Sequence, residues 1–139
     1  MSLRQEESYG AVPIRETENG KEVLVVKHKK GHWGFPKGRK EQGEKTLETV
    51  ERELKEETGL DVVDFLSLRP YAENYEFKEG DDLVNKYVWY YPCKVEGEIK
   101  LDQPDEVIEA KWVPLKDAPA YLTFIQGKMV ALDTIRDYS

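Results

Sequence analysis

Between Gly38 and Leu60 the chain reads GRKEQGEKTLETVERELKEETGL, and this stretch constrains the fold more than any other. Leu47, Val50, Leu54 and Thr58 recur at the spacing of one helical face, which predicts an amphipathic helix packed on a core. Thr46 is placed to cap its start, and Gly59 stands where helices commonly end in a left-handed turn. Glutamate occurs seven times from Glu41 to Glu57. Of these, Glu53, Glu56 and Glu57 stand at i, i+3 and i+4, which puts their Cβ atoms about 5–6 Å apart. Like charges at that spacing repel, and a divalent cation reverses the sign of the interaction. Carboxylate oxygens are hard ligands, and Mg²⁺ takes one or two of them while keeping several waters. A solvated acidic face is the commoner reading of a glutamate-rich helix. Three acids beside a glycine-bearing loop also suit Mg²⁺ holding a phosphate chain.

The spacing decides between the two. The stretch resembles the Nudix signature G-x5-E-x7-R-E-U-x-E-E-x-G-U, in which U is a bulky aliphatic residue. Gly38, Glu44, Arg52, Glu53, Leu54, Glu56, Glu57, Gly59 and Leu60 fill every specified position. From average composition, a chance match at a given start is well below roughly one in 10⁸. The resemblance implies an α/β/α sandwich and an enzyme that splits nucleoside diphosphates linked to another moiety, by attack of water at phosphorus. It implies Mg²⁺, with Mn²⁺ as a substitute, to neutralise the bridge oxygens and activate water. It makes Glu53 and Glu57 metal ligands and Glu56 a further ligand or the base. Arg52 would pair with Glu44 and brace the loop against the helix, and the Gly38 carbonyl would face the metal.

At 139 residues the chain is expected to be one domain, residues 1–139, with a polar and flexible stretch over 1–7. Charged residues at 35% and aromatics at 11% mark a globular chain. No apolar run approaches the ~20 residues that span a membrane. A single cysteine, Cys93, excludes an internal disulfide framework and points to a reducing, cytoplasmic setting. Its strand-like surroundings suggest a small buried thiol rather than a nucleophile. No membrane partner is expected from the apolar pattern, and a net charge of −7 argues against a stable nucleic-acid partner and requires local cations for an anionic substrate.

Ser8 to Ile14 and Glu22 to His28 read as strands joined by a turn at Asn19-Gly20. In the second, Val23, Leu24, Val25 and Val26 run together, as in a strand buried on both faces. The basic run from His28 to Lys30 leads through His32-Trp33-Gly34-Phe35-Pro36-Lys37 into the acidic motif. Asp61 to Ser67, Leu68 to Phe77 and Val84 to Val95 read as further strands. The last puts Tyr87, Trp89 and Tyr91 on one face and Val88 and Tyr90 on the other. Gln103 to Glu106 reads as a loop, Ile108 to Val113 as a strand and Leu115 to Leu122 as a short helical turn. Gln126 to Tyr138 is a second amphipathic helix, with Met129, Val130, Leu132 and Ile135 as its buried side. This order predicts an α+β fold with a mixed sheet and a helix on each side.

Within the Nudix family, His32 to Gly38 and the pair Asn74-Tyr75 with Lys86-x-Val88-x-Tyr90 resemble diadenosine tetraphosphate hydrolases. Arg39 departs from that pattern, where histidine is common. The resemblance implies a dinucleoside polyphosphate substrate cut asymmetrically into ATP and AMP. Lys37, Tyr75 and Lys86, with His32, would contact phosphates, and Phe124 would stack on adenine, although core packing explains an aromatic there equally well. Glu106 would complete the metal site, in competition with Glu109. An RNA 5′-pyrophosphohydrolase is the nearest alternative, disfavoured by Lys37 and by the net acidity. A non-catalytic nucleotide-sensing module is the other, and it would be marked by loss of a motif acid. None is lost.

Overall fold

A computed structural model describes residues 2–103 and 105–139. Strand β1 (Leu3–Thr17) turns into β2 (Gly20–His28), followed by the two-residue strands β3 (Trp33–Gly34) and β4 (Lys37–Gly38). Helix α1 (Thr46–Thr58) precedes β5 (Asp61–Phe65), β6 (Tyr71–Glu79), β7 (Asp82–Glu96) and β8 (Val107–Pro114). A 3-10 turn (Leu115–Asp117), α2 (Ala118–Tyr121) and α3 (Ile125–Tyr138) close the chain.

The eight strands form one mixed sheet. β1 pairs in parallel with β7 from Leu3 to Ile14, and antiparallel with β2 only from Ile14 to Thr17. Past that short pairing β1 and β2 diverge. The opened edges are taken by β4 on β1, at Tyr9 and Gly10, and by β3 on β2, at Val26 and Lys27. β5 and β6 complete the far edge of β7, and β8 that of β2. The divergence creates the opening in which the loop before the acidic helix sits.

Side-chain alternation divides the core between the two faces of the sheet. Val23 and Val25 join Phe35, Val88, Tyr90, Leu122 and Val130 beneath α2 and α3. Leu24 and Val26 join Val50, Leu54, Leu60 and Val107 beneath α1. All four β2 residues are fully buried, as a strand covered on both faces requires. Each such side chain contributes about 1.5–3 kcal/mol relative to exposure. The result is the expected α/β/α sandwich.

Several boundaries differ from the sequence reading. Leu3 to Glu7, expected to be flexible, extend β1 along β7, because an exposed polar strand still gains its ladder bonds from a long partner. Lys45 rather than Thr46 precedes the first helical residue; its N–H donates to Glu48 Oε1 at 2.8 Å, and its carbonyl accepts from the Thr49 N–H at 3.0 Å. Met129 and Leu132 are about half exposed, and α3 buries Gly127, Val130, Ala131 and Thr134 instead. These small side chains stand at i, i+3, i+4 and i+7 and let the helix lie close to the sheet, which a reading weighted by hydrophobicity misses. Cys93 is buried, and burial pushes its thiol up to about 12, as an inert thiol requires.

Candidate active site

Arg52 is the hub of the acidic side. Its Nε donates to Glu44 Oε2 at 2.6 Å, and Nη1 reaches Glu53 Oε1 at 2.8 Å and Glu56 Oε2 at 3.0 Å. Its Nη2 donates to the Arg39 carbonyl at 2.9 Å, tying the helix to the preceding loop. Glu44 also accepts from Thr49 Oγ1 at 2.6 Å and the Glu41 N–H at 3.0 Å. Hydrogen bonding to Arg52 comes first among the causes that hold its carboxyl at about 2. A single planar fork thus organises carboxylates that would otherwise repel.

Two glycines make this possible. Gly59 ends α1 at φ 82°, and its N–H donates to the Lys55 carbonyl at 2.9 Å. At Gly38 a Cβ would fall 2.1 Å from Glu53 Cδ, so only glycine lets the Glu53 carboxylate lie against the β4 backbone. Register then places the neighbouring Lys37 opposite Gly10 and Gly38 opposite Tyr9, so consecutive residues of β4 address opposite faces of the sheet.

Glu57 is the unusual member of the acidic trio. It is 3% exposed, and its Oε1 is buried without a hydrogen-bond partner. Burial first, then Glu53, pushes its carboxyl well above the usual range, and Lys37 pulls the other way. A buried carboxylate with an unpartnered oxygen and a like-charged neighbour suits a cation, and the hard oxygens of Glu53, Glu56 and Glu57 suit Mg²⁺. With Arg52 engaging Glu53 and Glu56, no three acid, histidine or cysteine side chains among the described residues already surround a common point. Glu106 is exposed, and Glu109 faces Lys27 at 3.9 Å. Neither is joined to the α1 acids by a hydrogen bond or ion pair among the described residues.

The opposite face of the sheet carries a cavity of about 750 Å³, lined by His32, Trp33, Lys37, Tyr75 and Phe124 among others. Phe124 is 54% exposed, so core packing does not explain it. Its ring lies 5.1 Å from that of His32, which stacks on His28 at 4.6 Å. Backbone and hydroxyl bonds between Trp33 and Thr123 hold the two walls together, at 2.8 and 3.2 Å. Burial, then Lys37 and Lys30, lowers the His32 pKa. His32 thus belongs to an aromatic wall of the cavity. Burial and Lys37 likewise lower His28, to about 4.

Tyr75 lines the cavity, but Lys86 lies beyond its lining. Lys86 is opposite Tyr75 in the β6–β7 register and 3.7 Å from Glu6, and burial lowers its pKa to about 8. Sequence reasoning missed Glu6, because it fell in the segment taken to be flexible. It also missed Glu73, and it gave no role to Tyr90, both in the cavity wall. Glu73 shares Tyr75's strand face two residues away, the one signal that pointed to it.

The family model of the NUDIX domain matches residues 5–132. An RNA pyrophosphohydrolase from a Nitratiruptor species is 34% identical over 103 residues, 68% of this chain and 66% of that protein. The asymmetrical bis(5′-nucleosyl)-tetraphosphatase of Rattus norvegicus is 29% identical over 110 residues, 77% of this chain and 74% of the rat protein. The crystal structure of an Ap4A hydrolase binary complex from C. elegans has the same fold, with a TM-score of 0.68 over 94% of this chain and 96% of that one, at 20% identity. Other curated relatives are much longer, and the chain spans between 31% and 39% of their length.

Proposed function

The chain belongs to the Nudix family of hydrolases, and on that premise we propose that it cleaves diadenosine tetraphosphate asymmetrically to ATP and AMP, with Mg²⁺ as its cofactor. The observation that carries this reading is the two-sided placement of β4. Lys37 lines a large aromatic cavity on one face, and Gly38 lies beneath the Glu53 carboxylate on the other. A nucleoside in the cavity therefore has its polyphosphate one residue away from the acids.

In this reading Phe124 and His32 stack on a base, and Lys37 offsets charge on the phosphates next to it. Tyr75, in the same wall, donates its hydroxyl to a phosphate oxygen. Lys86, held by Glu6, adds a second cation on the same strand face. Glu53 and Glu57 hold the cation, with Glu56 as a further ligand or as the base that takes the proton from water, and the Gly38 carbonyl and Glu106 complete the set. A cation held there would supply positive charge against the polyphosphate and would lower the pKa of bound water. Arg52 and Glu44 keep the acids in place without touching substrate.

The experiment is hydrolysis of diadenosine tetraphosphate in heavy-oxygen water with product chromatography. ATP and AMP are expected in equal amounts, with the label on AMP, and excess chelator should abolish the reaction. Equal ADP products, or label in ATP, would exclude this mode of attack. A second reading, removal of pyrophosphate from RNA 5′ ends, is favoured by the 34% identical relative of that name. Cleavage of triphosphorylated RNA with the dinucleotide left intact would select it.

A further inference from the structure

Glu73 is the one carboxylate among the residues that line the cavity, whose other charged members are Lys30 and Lys37. A carboxylate in a polyanion site opposes binding wherever it faces phosphate, so its presence needs a reason. Its only hydrogen bond among the described residues is from Tyr90 Oη at 3.5 Å, the outer limit for such a bond. Burial pushes its carboxyl up to about 7, with Lys37 and Tyr90 only partly offsetting that. On the far side, Oε2 lies 3.8 Å from where a Cβ on Gly127 would stand, in the first turn of α3, so the carboxylate is flanked by a side-chain-free wall. The group is half-buried, poorly partnered and beside open space.

We propose that Glu73 accepts a hydrogen bond donated by the nucleoside of the substrate and is the specificity-determining residue of this cavity. The inference rests on reading the cavity as the nucleoside site. Stacking on Phe124 and His32 tolerates any base, because every base has a π-face. A buried acceptor that loses its donor is left unpaired, so it rejects analogues far more strongly than an apolar wall can. Two donors on adenosine have the right chemistry, the exocyclic amine of the base and the hydroxyls of the sugar. Phosphates have none at neutral pH and are left to Lys37.

The test is calorimetric titration of the wild-type protein and Glu73→Ala with diadenosine tetraphosphate carrying methylene groups in place of its bridge oxygens. Two analogues accompany it, one with purine riboside, which lacks the amine, and one with 2′- or 3′-deoxyadenosine. The wild type should bind the parent compound about 10-fold or more tightly than the analogue missing the donor, as expected for a bond to a charged group. Glu73→Ala should bind both equally, at the weaker level, and Glu73→Gln, which keeps a carbonyl acceptor, should recover part of the preference. Discrimination confined to purine riboside assigns the amine, and discrimination confined to a deoxy analogue assigns the sugar. Equal wild-type affinities for all analogues would overturn the inference while leaving the nucleoside site standing. Wild-type protein that binds none of the compounds would overturn both.

Discussion

The two faces of the sheet meet at β4 but are built by opposite means. On the α1 face, Glu44, Arg52, Glu53, Glu56 and Glu57 come from one short run of chain, and one guanidinium touches Glu41, Glu44, Glu53 and Glu56. On the cavity face, the lining comes from the loop after β2, from β3 and β4, from β6 and β7, and from the start of α3. The acidic face is dense in charge and locally specified. The cavity face is sparse in charge and depends on the whole topology. The difference suggests a division of labour, in which changes on the first face alter turnover and changes on the second alter affinity.

The largest effect expected from breaking this division is at Glu57. Glu57→Gln keeps the shape of the side chain and removes the oxygen that can ionise to hold a cation, and turnover should fall about 10²-fold or more. The thermal midpoint should not fall, because the carboxylate it replaces is buried with an unpartnered oxygen. Turnover that survives in this variant would detach the acidic face from the chemistry.

Phe124→Ala tests the other side. Loss of stacking should cost about 1–3 kcal/mol of binding, seen in KM and not in kcat. Stability should be unchanged, since the ring is 54% exposed. A lower midpoint with normal KM would return the ring to a packing role.

Arg52→Ala should destabilise the protein by about 1–2 kcal/mol, because acids gathered round one cation are then left to repel each other. Urea unfolding would read this as a lower midpoint with an unchanged m-value. Arg52→Lys should recover little, since a point charge cannot replace the fork.

The smallest effect sharpens the cavity side. The folded-state pKa of Glu73 is raised from 4.5 to about 7, so its contribution to stability is fully present below 4.5 and is lost as pH rises through about 7. Glu73→Gln should flatten that part of the stability profile between pH 4 and 8, by on the order of 1 kcal/mol once solvent in the open cavity has screened the roughly 3 kcal/mol of the full shift. Wild-type and variant profiles that run parallel would show that Glu73 is not strained in the free protein.

The acidic helix was legible in the sequence because its information is local. Residues three and four apart must meet on a helix whatever surrounds it, and Gly38, Arg52 and Gly59 sit at spacings that only one arrangement satisfies. The buried run Val23 to Val26 and the alternation along β7 were legible for the same reason, since strand and helix periods are properties of the backbone. The cavity was legible only where a resemblance named its residues, as at Lys37, Tyr75 and Phe124. Glu73 shares a strand face with Tyr75, but that signal alone was too weak, because a carboxylate on a strand looks the same in sequence whether it faces water or a pocket. Its meaning came from β6 pairing with β7 and from α3 closing over both. Glu6 was misread because its pairing partner, Lys86, lies far along the chain. Even the burial of α3 turned on tertiary distance, for Gly127, Val130, Ala131 and Thr134 fit a close approach to the sheet that Met129 and Leu132 would block. Local geometry set the chemistry of the acids, and long-range pairing, which no short window of sequence encodes, decided what faces them across the sheet.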